Sequence, residues 1–265
     1  MGKKFISVLV PVVLGVFLIL ANGCGAYNPN GTGTGTGTGS DPGAAKGFYE
    51  CTLQQVFPNM EALILPTDVF YGVLGTLNQS SFLTSALVTG QGASGTTTYT
   101  GNFTEYLGSG GTSSSTVTAT DVPNESMSGT ITQSGVQVGF GGAFLPSSSY
   151  VYSNPASLTT IAGVWTGTLL DTTPLTITIN SNGSITASST SGCQVSGTVT
   201  TFTNNTVNVF SVTNLQFGAS CGSVSNELAT TAVAVVFLLP DGATPQLFMP
   251  ATFGTTAATV FSAQP

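Results

Sequence analysis

The chain has no arginine and no histidine, and its only cations are Lys3, Lys4 and Lys46 among 265 residues. From Gly47 to Pro265 there is no positively charged side chain at all. Each absence excludes a class of function. Nucleic-acid binding needs Lys or Arg to displace phosphate counterions, so a nucleic-acid partner is excluded. A Ser-His-Asp or Cys-His centre cannot be assembled without histidine, and zinc sites that use histidine fall with it. The four cysteines form no Cys-x-x-Cys pair, and no Asp-x-Asp-x-Asp-Gly run marks a calcium loop. No cofactor and no metal are expected, and the chain reads as a non-enzyme. Ion pairs cannot hold the region beyond Gly47 together. Its stability must come from apolar burial, backbone hydrogen bonds and a disulfide.

What is present is acidic, apolar and rich in hydroxyls. All ten carboxylates lie at or beyond Asp41, and the net charge is -7. Asp68, Glu105, Asp121, Glu125, Asp171 and Glu227 could supply the two acids of a glycosidase, but nothing in their spacing selects a pair, and turn positions or solvated faces account for them equally. Hydrophobic residues make up 41% of the chain and mean hydropathy is +0.35, the opposite of a disordered composition. Abundant Thr, Val, Ser and Gly, with few strong helix formers in any window, point to β structure.

Beyond Gly47 the hydrophobic period is two. Leu175-Thr-Ile-Thr-Ile179 alternates as a half-buried strand does, Asn180–Gly183 makes a turn, and Ile185–Ala187 resumes the alternation. Val195–Val199 and Val207–Val209 continue the series. The continuous apolar run Ala232–Leu239 predicts a strand buried on both faces. Segments at Glu61–Leu65, Val69–Leu74, Phe82–Thr89, Thr96–Glu105, Thr112–Thr120, Ser126–Gln133 and Val136–Leu145 read in the same way. The expected fold is all-β: two small antiparallel barrels or sandwiches in tandem, residues 47–150 and 156–265, joined across Pro146–Pro155. One larger barrel or sandwich is the alternative. Two local echoes suggest duplication, GFYECTL (Gly47–Leu53) with GVWTGTL (Gly163–Leu169), and SMSGTIT (Ser126–Thr132) with QVSGTVT (Gln194–Thr200). Their separations along the chain disagree, so a tandem repeat stays open.

The N-terminus has its own logic. Lys3 and Lys4 precede an apolar run from Phe5 to Ala21, followed by Asn22-Gly23-Cys24. A basic head, a hydrophobic stretch and a small residue before a cut make a secretory signal. The stretch LILANGC resembles the lipobox of bacterial lipoproteins, although Ala21 and Asn22 depart from the residues preferred there. Over residues 1–24 the resemblance implies a signal peptide (1–23), a thioether-linked lipid on Cys24 and attachment to a membrane through that lipid. Gly25 in place of Asp implies, by the same resemblance, delivery to the outer membrane of a Gram-negative envelope. The rival readings are an uncleaved Phe5–Ala21 anchor, short for a hydrocarbon core of ~30 Å, and an ordinary signal that leaves Cys24 a thiol. Residues 24–46 include GTGTGTGTGS, a run with no apolar side chain to offset the entropy of ordering it. It reads as a flexible tether of roughly 25 Å.

If Cys24 is lipidated, three cysteines remain. Cys193 and Cys221 flank neighbouring predicted strands and are the expected disulfide in an oxidising compartment; Cys51 reads as a buried thiol. Phe48, Tyr49, Tyr71, Tyr99, Tyr106, Tyr150, Tyr152 and Trp165 could stack on sugars or plug barrel cores. Gly163-Val-Trp165-Thr-Gly167 resembles the first strand of lipocalins, and the FYEC segment resembles a Tyr-x-Cys element of lysozyme-inhibitor lipoproteins. The leading expectation is a lipid-anchored envelope protein with a structural, adhesive or ligand-binding role. The alternatives are a barrel around a small apolar ligand, an inhibitor of an envelope enzyme and an acid-only glycoside hydrolase.

Overall fold

A computed structural model describes residues 43–53, 58–202 and 205–265. Cys24, the signal-like segment and most of the tether lie outside them. Eight strands come first: β1 (Gly47–Leu53), β2 (Asn59–Ile64), β3 (Val69–Asn78), β4 (Ser81–Ser94), β5 (Thr98–Leu107), β6 (Thr112–Val122), β7 (Ser126–Gln133) and β8 (Val136–Phe144). Each pairs antiparallel with the next, and β8 returns to β1 with Gly142 opposite Cys51, closing a barrel. A connector with one helical turn, α1 (Leu158–Ile161), leads into the second set. This comprises β9 (Gly163–Thr168), β10 (Pro174–Ile179), β11 (Ser184–Ser188), β12 (Gln194–Thr201), β13 (Phe210–Phe217), β14 (Thr231–Leu238), β15 (Pro245–Phe253) and β16 (Ala257–Gln264). β16 pairs back to β9, with Ala263 opposite Gly167. The chain folds into two closed eight-stranded antiparallel barrels in tandem.

Period-two patterning produces this directly. Along β6, Thr112, Ser114, Thr116, Thr118 and Thr120 face solvent while Ser115, Val117, Ala119 and Asp121 are buried. Closure removes the sheet edges that a body without lysine could not guard by charge. Both interiors are filled by side chains. Tyr49, Met60, Ile64, Phe70, Tyr99 and Phe103 pack in barrel one, and Trp165, Ile177, Leu215, Met249 and Phe261 in barrel two.

A third apolar layer joins the barrels. Alternate residues of β14 serve two cores: Ala232 and Ala234 pack inside barrel two, while Val233, Val235 and Phe237 pack with Phe48, Leu63, Tyr71 and Val73 of barrel one. This explains why Ala232–Leu238 is apolar without alternation. Polar bonds tie the joint further: the Tyr71 hydroxyl to Thr231 Oγ1 at 3.3 Å, and the Tyr152 hydroxyl of the connector to Ile64 O at 2.9 Å.

The segment Val207–Val209 departs from expectation, because β13 starts only at Phe210. Val207 and Val209 are buried in the joint, and the Asn208 amide donates to Tyr152 O of the connector. Their apolarity serves the contact between barrels and not the ladder. Of the two echoes, the first pairs β1 with β9, the opening strand of each barrel. The second pairs β7 with β12, which hold different positions in their barrels.

Candidate functional site

The tether meets the fold at one end of barrel one, where the turn Gly43–Lys46 enters β1. Leu65–Asp68 between β2 and β3, Ser94 at the end of β4 and Asp121 near the end of β6 lie at the same end. The Gly43 amide donates to Asp68 Oδ1 at 3.0 Å, and the Ala45 amide to Ser94 Oγ at 3.2 Å. The Ser94 hydroxyl in turn donates to Asp68 Oδ1 at 2.5 Å. Tyr99, rising through the core, donates to Asp68 O at 2.8 Å. The Tyr49 hydroxyl lies 3.0 Å from Ala45 O and 3.1 Å from Asp121 Oδ1. Ala45 is fully buried under this network.

Local chemistry accounts for the residue types. Asp68 has φ +62, a left-handed conformation that Asp tolerates better than most residues, and this turns its carboxylate back onto the incoming chain. Gly43 has φ +76, and a Cβ there would sit 2.7 Å from Pro66 O, so the entry turn needs glycine. Burial pushes the Asp121 carboxyl up, and the Tyr49 bond offsets part of that rise. Burial and then the Asp121 charge push the Tyr49 phenol up, so it stays protonated. A phenol has one proton to give. When Asp121 is protonated it donates to the Tyr49 oxygen, and the phenol proton is free for Ala45 O.

The Asp68 carboxylate is the acceptor on which Gly43 and Ser94 converge. Asp68→Ala is expected to cost about 1–3 kcal/mol and to release Gly43–Lys46 while both barrels stay folded. Limited proteolysis near Lys46, beside a urea unfolding curve, checks this. Unchanged protection at the junction would show that the Asp68 bonds do not hold it.

The remaining predicted acids are dispersed. Glu105 accepts from Ser113 Oγ at 2.8 Å and Gln133 Nε2 at 2.7 Å, towards the opposite end of barrel one. Asp171 accepts from the amides of Ser223 at 2.6 Å and Thr173 at 3.1 Å, capping the turn Gly222–Val224 beside Cys221. Burial opposes the charge on Asp171, but these bonds outweigh it and hold the carboxyl below its usual value. Glu125 and Glu227 lie exposed in loops. Only Asp68 and Asp121 share a neighbourhood, and both are buried within the junction network. Among the described residues no three His, Cys, Asp or Glu side chains converge as a metal site. One directly opposed pair escaped the sequence reading, Glu50 on β1 against Glu61 on β2. Strand register reveals it, and sequence spacing does not.

All eight singled-out aromatics are buried. Tyr49 and Tyr99 pack inside barrel one and Trp165 inside barrel two, where its Nε1 donates to Ile161 O at 2.8 Å. Phe48, Tyr71, Tyr106, Tyr150 and Tyr152 belong to the joint. None is laid open for stacking on a sugar. Cys193 and Cys221 form a disulfide with Cα atoms 4.6 Å apart. Cys51 is buried, and burial, Glu61 and Glu50 together push its thiol up, away from the reactive thiolate. No protein-family model, curated protein or solved structure matches this chain.

Proposed function

We propose that this chain is a non-enzymatic, lipid-anchored β protein of the cell envelope, held at the outer membrane through Cys24 and set off from it by the Gly/Thr tether. Its role is structural or adhesive. The observation that supports this reading best is the junction, where the described end of the tether, at Gly43 and Ala45, is bonded into barrel one through Asp68 and Ser94. A tether locked into a rigid body in this way transmits attachment to the whole body. The filled interiors of both barrels leave the small-apolar-ligand reading without a chamber among the described residues. The buried aromatics likewise offer nothing specific to a carbohydrate-processing reading. No single observation favours an enzyme inhibitor over an adhesive role.

Anchoring is tested at Cys24. Mass spectrometry of the membrane fraction should find a diacyl or triacyl adduct on an N-terminal peptide that starts at Cys24. Cys24→Ala should move the protein out of the membrane fraction. A variant that remains membrane-bound removes the lipid from the proposal.

A further inference from the structure

The outer face of barrel one carries a carboxyl group that the junction and the core do not use. Glu61 on β2 is 1% exposed, and its Oε2 has no hydrogen-bond partner among the described residues. Strand alternation sets its direction. Met60 and Ala62 on either side pack into the barrel-one core, whereas Leu63 belongs to the joint. Across the β1–β2 register its neighbour is Glu50, and across β2–β3 it is Val73, another residue of the joint. Two carboxyl groups thus stand side by side, one half-buried and one sealed, at the margin of the layer that joins the barrels.

Among the described residues nothing neutralises a charge on Glu61: Lys46, at the entry to β1, is exposed to solvent. No Lys, Arg or His exists from Gly47 onward. The four tyrosines of the joint are engaged elsewhere: Tyr71 with Thr231, Tyr106 with Thr255 O, Tyr150 with Asn208 O and Tyr152 with Ile64 O. The Cys51 thiol sits on the opposite face of β1 and is itself disfavoured as an anion by both glutamates. Val73 on β3 and the residues that β14 brings to the joint, Val233, Val235 and Phe237, carry no charge. A sealed carboxylate with neither cation nor donor is strongly disfavoured, whereas the neutral acid is tolerated. Burial, and then the neighbouring Glu50, push Glu61 well above the usual carboxyl range; burial also raises Glu50.

The geometry points to a proton-operated latch at this joint: Glu61, paired with Glu50, keeps the barrels closed on each other while it holds its proton and loosens them when it loses it. The folded chain binds that proton more tightly than the unfolded chain, in which the group titrates near 4.5. Its contribution to stability is complete below that value and is lost as the pH rises above it, by up to tenfold in the folding equilibrium per pH unit. Acid tightens the joint and alkali loosens it. Asp171 and Asp241, held below their usual values, act in the opposite sense at the acid end of the scale.

The test uses the full-length protein in detergent micelles. Urea unfolding from about pH 4 to about pH 9, with hydrogen exchange read by mass spectrometry on β2 and β14, compares wild type with Glu61→Gln and Glu50→Gln. The wild type should lose stability steadily above about pH 5, and Glu61→Gln should make the profile shallower, leaving the smaller slopes of Glu50 and Asp121, whose carboxyls burial also raises. Exchange in β2 and β14 should be about tenfold faster in wild type than in Glu61→Gln at the alkaline end, and equal at the acid end. Glu50→Gln keeps the proposal testable if Glu61→Gln fails to fold. Without the neighbouring charge, the decline should level off at a lower pH. A Glu61→Gln profile as steep as wild type, or a Glu50→Gln profile superimposed on it, overturns the latch. So does alkaline loosening that calcium reverses in wild type but not in Glu61→Gln, which would assign the pair to a cation instead.

Discussion

Truncating Phe48 to alanine lowers the unfolding free energy by about 3–5 kcal/mol and divides thermal unfolding into two transitions. Phe48 points outward from β1 yet is 1% exposed, because it is inserted into the joint. Its ring meets Tyr150 edge-on at 5.1 Å and Phe237 edge-on at 5.0 Å. Phe237 in turn meets Phe248 at 5.1 Å, and Phe248 meets Phe82 of barrel one at the same distance. The rings form a chain that crosses from one barrel to the other and back. Removing the first ring forfeits its burial, leaves a cavity that rigid strands fill poorly, and loses two aromatic contacts of about 0.5–1.5 kcal/mol each. The wild-type chain should melt as one cooperative unit because β14 serves both cores. Once the ring chain is broken, the less stable barrel should melt first. Differential scanning calorimetry decides this: one transition with a midpoint close to wild type would mean that the joint is carried by other residues.

Breaking the disulfide has the second large effect. Cys193 precedes β12 and Cys221 follows β13, 28 positions apart in sequence. Opening a loop of that size frees the unfolded chain by about 3–4 kcal/mol on the loop-entropy account. Both cysteines are fully buried, so the Cys193→Ala/Cys221→Ala variant leaves no stranded polar group. Urea unfolding should show the full loss in the variant. A reductant should reproduce it in wild type and leave the variant unmoved. Equal curves with and without reductant would mean that the bond contributes nothing to stability. Cys51 should play no part, since it is sealed inside barrel one.

The strands were legible because each barrel wall has one dry and one wet face, and that asymmetry writes itself into alternation of apolar and hydroxyl residues, as in Leu175–Ile179. The disulfide was legible because Cys193 and Cys221 flank neighbouring predicted strands. The joint was not. Phe48, Leu63 and Tyr71 sit on nominally wet faces, and Val207–Val209 mimics a strand, because a second apolar surface overrides the period wherever two barrels touch. The tether junction was hidden for another reason. Asp68 and Ser94 lie 25 and 49 residues from the amides they hold, and no local pattern marks contacts set by barrel closure. The Glu50–Glu61 pair needed the strand register, which composition and spacing do not contain.

The closure of barrel one has a mechanical consequence. Any pull that arrives along the chain from the N-terminal side passes through Gly43–Lys46 into β1, which is flanked by β2 on one side and β8 on the other. An edge strand peels by breaking one ladder bond after another. A strand closed into a cylinder must shear two ladders at once before it moves. The same geometry that hides backbone groups from neighbouring molecules therefore leaves the first strand held from both sides, as firmly as any of the eight, where a load would enter.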